Sequence, residues 1–267
     1  SESRCRTGTH RSGNRCISNI KNKRGQLNEN KKLRPIIPYF GGKTKIADKI
    51  VKKFPKHDLY IEPMIGGGSV YWKNKIAKKF IINDKNKEIY NLYKTAKNRP
   101  SVVKSCKLNP SKNKFNQIKN KNNHNSCDTM ILYKHSYGAN GKGFANHDGL
   151  RNNTFTNEHA EKLKKTKVLN KDFRRVMKDR ADTLIYLDPP YIKGGDTYKI
   201  HGVTPKEVCD SVKKLKKSKA IISYDNNSLV KKSCKGLKQS TISFKYSDAK
   251  NGGISNNLKK ELLITNY

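Results

Sequence analysis

The sequence is poor in acidic and in apolar residues. Of its 267 residues only 21 are Asp or Glu, against 59 Lys or Arg, so the formal net charge is +38. Hydrophobic residues make up 33% of the chain, below the roughly 45–50% that is usual for globular domains. A folded core is therefore possible only where apolar residues are concentrated. The positive charge attracts nucleic acids at low salt, although an AT-rich genome would also enrich the chain in Lys, Asn and Ile.

Several classes of protein are excluded by what the chain lacks. No apolar run approaches the roughly 18–20 residues of a membrane span, and the N-terminal residues have no apolar signal-peptide segment. We therefore expect an intracellular protein that is not secreted and has no membrane partner. The six cysteines are scattered without a C-x-x-C pair, which argues against a zinc ribbon. Free thiols in a reducing compartment are the simplest interpretation.

Residues 1–33 are polar and basic and show no apolar period, which predicts a disordered tail. Within this tail Cys5 and Cys16 bracket a basic stretch. The pair is similar to a short basic motif that recurs in proteins of large DNA viruses of eukaryotes. An unstructured basic arm is the alternative interpretation. If the protein is viral, we expect it in the cytoplasm or nucleus of the host cell.

From Pro35 onward, apolar segments alternate with loops and helical patterns. The residues from Ile46 to Phe54 have helical spacing and end at Pro55. Short buried strands are predicted at 58–62, 80–83, 168–169, 183–187 and 220–224, and the chain closes with an antiparallel pair at 241–244 and 261–267. This alternation of strand, loop and helix is typical of a doubly wound α/β fold with a parallel sheet.

The segment 98–165 interrupts this alternation. Asn, Lys, Gly and His dominate it, and its one clearly apolar stretch is 130–133. Residues 137–157 are predicted as loops with a possible hairpin. We interpret the whole segment as an inserted, surface-exposed module.

A glycine loop and an acidic residue follow the first two predicted strands. The loop reads E-P-M-I-G-G-G-S at 62–69, and a glycine turn between strand and helix lets a ligand approach the backbone. Asp84 ends the next strand, where a carboxylate can accept hydrogen bonds from ribose hydroxyls. Together these features favour an adenosine-containing ligand over a ligand-free turn. Nicotinamide and ATP are less favoured, because neither the G-x-G-x-x-G spacing nor a Walker lysine is present.

A proline-rich turn follows the buried strand 183–187. It reads Asp188-Pro189-Pro190-Tyr191, and its two prolines hold the backbone out of helical geometry. The Asp188 carboxylate and the Pro189 carbonyl become fixed acceptors beside an aromatic ring. Such a set suits a planar group that bears an amino substituent, with a plain proline turn as the alternative.

Five motifs occur in a family order: Y-F-G-G-K at 39–43, Y-I-E-P-M-I-G-G-G-S at 60–69, N-D-K-N at 83–86, L-D-P-P-Y at 187–191 and E-L-L-I-T-N-Y at 261–267. The set resembles the Dam-like class of adenine-specific DNA methyltransferases, which use S-adenosylmethionine. The proline box also occurs in ribosomal RNA adenine methylases and, as a close variant, in protein glutamine methylases. About 120 residues separate the glycine loop from Asp188 here, a longer gap than in those relatives. The surplus resembles the target-recognition insertion of the DNA enzymes.

The resemblance implies a fold and a division into domains. The fold would be a Rossmann-like methyltransferase fold, with a mostly parallel seven-stranded sheet that ends in a C-terminal antiparallel hairpin. The catalytic domain would comprise 34–97 and 166–267, with 98–165 as the DNA target-recognition insertion and 1–33 as the tail. The recognition signature of the GATC-methylating members is not reproduced, so the resemblance implies no target sequence.

The resemblance also implies roles for individual residues. The catalytic box would be Asp188, Pro189, Pro190 and Tyr191. A second group would bind the cofactor, with the Lys43 cation pairing with the carboxylate of the donor: Tyr39, Lys43, Glu62, Pro63, Gly66, Gly67, Gly68, Asp84, Asp172 and Phe173. Four residues of the insertion are DNA contacts by residue type, with ordinary solvated loop residues as the alternative: Tyr137, Asn140, Lys142 and Arg151. No metal is implied.

The predicted function is methyl transfer from S-adenosylmethionine to the 6-amino group of adenine in duplex DNA, by base flipping and direct in-line transfer. The alternatives are an RNA or protein amino-group methyltransferase and a non-catalytic nucleic-acid-binding relic. We expect a monomer whose partner is double-stranded DNA. A cognate restriction endonuclease, encoded separately, is a further expected partner if the role is restriction–modification.

Overall fold

The computed structural model describes residues 9–12, 15–18, 33–147, 152–190, 203–247 and 254–267. The chain divides into two units, Ser1–Lys32 and Leu33–Tyr267. In the first unit, strands β1 (Thr9–Ser12) and β2 (Arg15–Ser18) pair antiparallel. This differs from the disordered tail that the sequence predicts. The dipeptide between the two strands is Gly-Asn, a type that favours two-residue hairpin connections.

A seven-stranded sheet forms the centre of the second unit, in the order β5-β4-β3-β6-β7-β9-β8. The first five strands in this order are parallel, and β9 pairs antiparallel with both β7 and β8. The predicted mostly parallel sheet with a C-terminal antiparallel hairpin is therefore confirmed. Its strands are β3 (Leu59–Glu62), β4 (Lys79–Asn83), β5 (Thr166–Leu169), β6 (Thr183–Leu187), β7 (Lys219–Asp225), β8 (Lys238–Ser247) and β9 (Ile254–Thr265).

The described helices of this unit connect the strands and lie on both faces of the sheet. Capping residues fix several of their ends: Asn86 caps one helix through the amide of Glu88, and Thr204 and Glu207 form a capping box. The helices are α1 (Ala47–Val51), α2 (Ser69–Lys73), α3 (Lys87–Asn98), α4 (Pro100–Lys104), α5 (Lys112–Lys119), α6 (Ser126–Lys134), α7 (Asn157–Lys164), α8 (Pro205–Lys213) and α9 (Ser228–Ser233).

The sheet separates two apolar cores because successive side chains of a strand point to opposite faces. In β6, Leu184 and Tyr186 belong to the larger core, which α1, α2, α3 and the helices of the insertion cover. Ile185 and Leu187 belong to the smaller core, which is covered by α8 and α9. All five residues of β6 are buried, which explains why the sequence shows this strand as an unbroken apolar run.

The segment 98–165 is predicted as an inserted, surface-exposed module, but its apolar residues are packed into the fold. It contains α4 to α7, and its apolar side chains belong to the same core as the sheet. Phe115 and Ile118, for example, are buried although the helix that carries them is otherwise polar. Apart from α6, each of these short helices buries only one or two side chains, so the average composition hides the pattern. The predicted hairpin is represented by one antiparallel bridge between Ser136 and Phe144.

Four of the six cysteines lie in two pairs rather than as free thiols. Cys106 and Cys127 are disulfide-bonded with their Cα atoms 5.3 Å apart, and Cys209 and Cys234 are bonded at the same Cα separation. This Cα separation is close to the most frequent value for disulfides. The prediction of free thiols is therefore wrong for these four residues. Sequence spacing could not reveal the pairs, because 21 and 25 residues separate their members.

Candidate active site

A cavity of about 1010 Å³ opens where the parallel strands β3, β4 and β6 end. In open α/β sheets, ligands bind at this carboxyl edge. The cavity brings together residues from four of the five sequence motifs. Its lining includes these predicted site residues: Tyr39, Lys43, Glu62, Pro63, Gly66, Gly67, Gly68, Asp84, Asn140, Lys142, Asp172, Phe173, Asp188, Pro189 and Pro190.

The glycine loop has no room for side chains at two positions. Gly66 has φ +46°, and a Cβ atom there would lie 2.7 Å from the ring of Tyr39. Gly68 has φ +69°, and its Cβ atom would lie 2.7 Å from the hydroxyl oxygen of Tyr93. Both the left-handed backbone and the close packing therefore require glycine. The backbone of the loop forms part of the cavity wall, as the sequence predicts.

The carboxylate of Asp84 holds the glycine loop in place. The amide of Gly66 donates to Oδ2 at 2.9 Å, and the amide of Asn86 donates to Oδ1 at 2.8 Å. Each carboxylate oxygen has two acceptor positions, so these bonds leave capacity for the hydroxyl groups of a ligand. Asp84 therefore shapes the loop in addition to lining the cavity.

Glu62 is a buried acid on the cavity wall. The hydroxyl of Tyr60 donates a 2.6 Å hydrogen bond to its Oε2. Burial raises the pKa of the Glu62 carboxyl well above its usual value, and the bond from Tyr60 opposes that rise. A protonated Glu62 can donate a hydrogen bond as well as accept one.

From the described residues, Asp188 accepts two hydrogen bonds, both at Oδ1. Lys43 Nζ lies 2.5 Å from this oxygen, and Ser223 Oγ lies 3.1 Å from it. Because Ser223 gives its hydrogen to Asp188, the hydroxyl of Tyr186 donates to Ser223 at 2.7 Å. Burial raises the pKa of the Asp188 carboxyl, and the bonds from Lys43 and Ser223 oppose that rise. Within the described residues, Oδ2 accepts no protein hydrogen bond and is available to a ligand.

Lys43 borders the cavity and is surrounded by groups of the protein. Its side chain is 4% exposed, and its ammonium also donates to the carbonyl of Gly41 at 2.8 Å. Glu261 Oε1 lies 3.7 Å from the same nitrogen. Within the described residues, Lys43 is held by Asp188, Glu261 and the backbone, and its pairing with the carboxylate of the donor stays a prediction. The spacing of motifs along the sequence cannot reveal contacts between them.

The insertion supplies one wall of the cavity. Tyr133, on α6, stacks on Tyr39 with ring centroids 5.5 Å apart and an interplanar angle of 11°. Asn86 Nδ2 donates to the hydroxyl of Tyr133 at 3.1 Å. Burial raises the pKa of Tyr133 to about 12, so its hydroxyl stays protonated. Sequence analysis missed Tyr133, and the apolar stretch 130–133 was its only signal.

The predicted adenine-holding pair lies in a short 3₁₀ turn, Phe173–Arg175. Phe173 is buried and borders the cavity. Asp172 forms a two-pronged ion pair with Arg174, with nitrogen–oxygen distances of 2.7 Å to each carboxylate oxygen. This pairing lowers the pKa of Asp172 to about 2. Asp172 therefore stays ionised, with its carboxylate partly used by Arg174.

The structure describes three of the four predicted DNA contacts. Asn140 and Lys142 line the cavity. Tyr137 is 68% exposed and is not part of the lining. Arg151, like Tyr191 of the predicted catalytic box, lies outside the described residues.

Two further searches cover the described part of the chain. No group of three or more His, Cys, Asp or Glu side chains there could hold a metal ion. None of the described helices is long and apolar enough to cross a membrane.

Comparison with known proteins adds independent information. A family model for the D12 class of N6 adenine-specific DNA methyltransferases matches residues 39–248. Type II methyltransferase M1.LlaDCHI of Lactococcus lactis is 26% identical over 201 residues, which cover 64% of this chain and 70% of that protein. Type II methyltransferase M.MjaIII of Methanocaldococcus jannaschii is 30% identical over 201 residues, covering 60% and 69%.

A further relative and a solved structure are also similar to this chain. A DNA adenine methylase of Salmonella typhimurium is 28% identical over 187 residues, covering 60% of this chain and 66% of that protein. Among solved structures, the tRNA (m1A58) methyltransferase TrmI from Aquifex aeolicus is 11% identical and has a TM-score of 0.41, with coverage of 84% and 68%. Since the family model spans well over half of the sequence, this chain belongs to the D12 class of N6 adenine-specific DNA methyltransferases.

Proposed function

We propose that the cavity holds the methyl donor and the target adenine side by side, and that Asp188 directs transfer to the 6-amino group. One observation carries this proposal: the glycine loop and the Asp188–Pro190 turn line the same cavity. Its volume of about 1010 Å³ lies at the upper end of the roughly 300–1,000 Å³ that single-ligand pockets occupy. There is room for two ligands.

Membership of this family implies S-adenosylmethionine as the donor, and the residues present fit it. The glycine loop lines the cavity with backbone, and Gly66 packs directly against the ring of Tyr39. Asp84 has acceptor capacity for ribose hydroxyls, and Phe173 offers an apolar surface for an adenine ring. The donor supplies an electrophilic methyl group on a sulfonium.

The protein makes the adenine amino group a better nucleophile. The amino nitrogen of adenine is a poor nucleophile because its lone pair is delocalised into the ring. Asp188 Oδ2 and the Pro189 carbonyl accept the two amino hydrogens, which favours a localised lone pair that points at the methyl group. Preorganised acceptors of this kind lower the barrier without moving during the reaction. Tyr191 is proposed to stack on the base, and the base must leave the duplex to reach these groups.

Double-stranded DNA is the proposed substrate and partner. Lys142 and Asn140 lie where the cavity meets the surface of the insertion, and both can contact phosphates or base edges. The exposed ring of Tyr137 and the guanidinium of Arg151 are proposed as further contacts. The net charge of +38 supports salt-dependent binding to the duplex. A monomer is the proposed acting unit.

A cognate restriction endonuclease, encoded separately, is the second proposed partner. Two similar proteins are named Type II methyltransferases, and this naming favours a protective role for the methyl mark. The check is to methylate plasmid DNA with the protein and to challenge it with endonucleases whose sites contain the mapped adenine. Protection at that site is the expected result.

The proposed function is tested by methyl transfer from labelled S-adenosylmethionine to unmodified duplex DNA, followed by mapping of the methylated bases. Label in adenine at one short recurring sequence is the expected result, and the Asp188→Asn variant should lose it while it still binds DNA. Label in RNA or protein alone would replace this proposal by the rival substrate class. Wild-type turnover in Asp188→Asn would remove Asp188 from the mechanism.

A further inference from the structure

Glu261 is a buried acid that the proposed chemistry does not use. It lies on β9, opposite Asp225 of β7 in the antiparallel register, and its residue is 4% exposed. Its Oε1 atom lies 3.7 Å from Lys43 Nζ. Burial of a carboxylate costs free energy unless the carboxylate is paired, and the Lys43 ammonium is such a partner.

Lys43 connects Glu261 to the reacting end of the site. Its ammonium is 2.5 Å from Asp188 Oδ1 and 2.8 Å from the carbonyl oxygen of Gly41. Two hydrogen-bond acceptors, Gly41 and Asp188, and the charge of Glu261 therefore hold one buried nitrogen. The position of that nitrogen fixes Asp188 Oδ1 and, through it, the direction of Asp188 Oδ2.

The charges of the three side chains also matter. Without Glu261, the positive charge of the Lys43 ammonium would cancel the negative charge of Asp188 beside the target amino group. The nitrogen of adenine gains positive charge as it attacks the methyl group, so a neutral surrounding would stabilise it less. With Glu261 ionised, the cluster of Asp188, Lys43 and Glu261 carries one net negative charge.

We propose that Glu261 is a positioning residue for the methyl transfer: it helps to hold the Lys43 ammonium at Asp188 and keeps the cluster negative. The inference rests on the proposed role of Asp188. Glu261 does not touch the cavity, because it is absent from the lining residues that the structure describes. Its effect should therefore fall on the chemical step and leave ligand binding intact.

The test is steady-state kinetics of Glu261→Gln, which keeps the shape and an acceptor oxygen but removes the charge. We expect kcat to fall about tenfold, while KM for duplex DNA and the dissociation constant for the donor change less than twofold. The matched control is Asp58→Asn, which removes a carboxylate paired with Lys78 on the surface, and it should keep kcat. An unchanged kcat in folded Glu261→Gln would overturn the proposal.

A double variant shows whether Glu261 acts through Lys43. In the Lys43→Met background, adding Glu261→Gln should slow kcat no further, because the connection is already lost. Multiplied effects would overturn the proposed route. If Glu261→Gln does not fold, Glu261→Asp is the second variant, because it keeps the carboxylate but moves it away from Lys43. Glu261→Asp should lower kcat without raising KM. A wild-type kcat in Glu261→Asp would overturn the positioning role.

The same experiments separate this inference from the proposed function. Asp188→Asn is assayed beside the Glu261 variants. Activity in Asp188→Asn removes the proposed role of Asp188 and this inference with it. Loss of activity in Asp188→Asn, together with wild-type kcat in Glu261→Gln, overturns the inference alone.

Discussion

The ammonium of Lys43 and the carboxylate of Asp188 lie 2.5 Å apart, although 145 residues separate them in the sequence. The pair links the Y-F-G-G-K motif to the turn after β6. Because Lys43 opposes the rise that burial imposes on the pKa of Asp188, this one contact sets both the orientation and the protonation of the proposed acceptor.

Replacing Lys43 by Met should move the pH dependence of kcat. Without the ammonium the pKa of Asp188 rises further, and the ionised carboxylate is the form that accepts the amino hydrogens. Activity should therefore be lost at a higher pH as the solution is acidified, so the acidic limb of the profile shifts upward. Lys78→Met, which breaks a surface pair, serves as the control. An unshifted acidic limb in Lys43→Met would contradict the expectation.

Gly66→Ala should abolish donor binding while the fold survives. The new Cβ atom would lie 2.7 Å from the Tyr39 ring, so the loop or the ring must move. We expect donor affinity, measured by calorimetry, to fall at least about tenfold. Gly236→Ala is the matched control, because Gly236 has φ +91° but open space around it. Equal loss of donor affinity in both variants would show that the backbone angle alone is responsible.

Lys162→Met should destabilise the fold without touching the cavity. Lys162 Nζ donates to the carbonyls of Tyr71 at 2.6 Å and Asn74 at 2.5 Å, beneath the end of α2. The Tyr71 carbonyl keeps the amide of Asn74 as a donor, but the buried Asn74 carbonyl loses its bond from Lys162, at a cost of about 1–3 kcal/mol. Urea unfolding measures the difference.

The same variant has a pH signature. Burial lowers the pKa of Lys162 to about 7, below the value of about 10.4 in an unfolded chain. Between these values the unfolded state binds more protons, so the stability of the wild type should rise with pH relative to Lys162→Met. A stability difference that stays constant from pH 7 to 10 would contradict this assignment.

The paired cysteines should be measurable directly. We expect protein isolated without reductant to lack the four hydrogens of Cys106, Cys127, Cys209 and Cys234 by mass spectrometry. Each bond closes a loop of just over 20 residues and should contribute about 3 kcal/mol to the free energy of unfolding. Cys106→Ser and Cys209→Ser test the two bonds separately. Identical urea midpoints with and without reductant would contradict the pairing.

Removal of residues 1–32 should separate binding from catalysis. These residues form a unit of their own and are rich in Lys and Arg. We expect kcat to stay close to that of the full chain, while DNA affinity at low salt weakens because phosphate contacts are lost. Gel-shift titrations at two salt concentrations provide the measurement. A truncated protein that no longer folds would show that the two units depend on each other.

Much of the fold and of the cavity lining can be predicted from local sequence patterns. The unbroken apolar run of β6 and the glycines at 66–68 each report their own environment, so strand, loop and lining were predictable. The ion pair of Lys43 was not, because contacts between distant segments leave no local pattern. No sequence pattern singles out Ser223. Glu261, in contrast, is the first residue of the motif E-L-L-I-T-N-Y at 261–267, where it precedes an apolar run.

The helices of 98–165 show a second reason for failure. Asn and Lys on their exposed faces outnumber the few buried residues, such as Phe115 and Ile118. Composition averaged over the segment therefore predicts a surface-exposed module, while tertiary packing buries one face of its helices.

The shared core of the insertion and the sheet limits how target specificity can be exchanged. Grafting the whole of 98–165 from a relative would replace Tyr133, which stacks on Tyr39, and Lys162, which supports α2. A chimera of that kind would disturb the donor side of the enzyme along with the DNA side. Exchanges confined to 136–147, between α6 and α7, would leave both contacts intact and are the practical route to re-targeted variants.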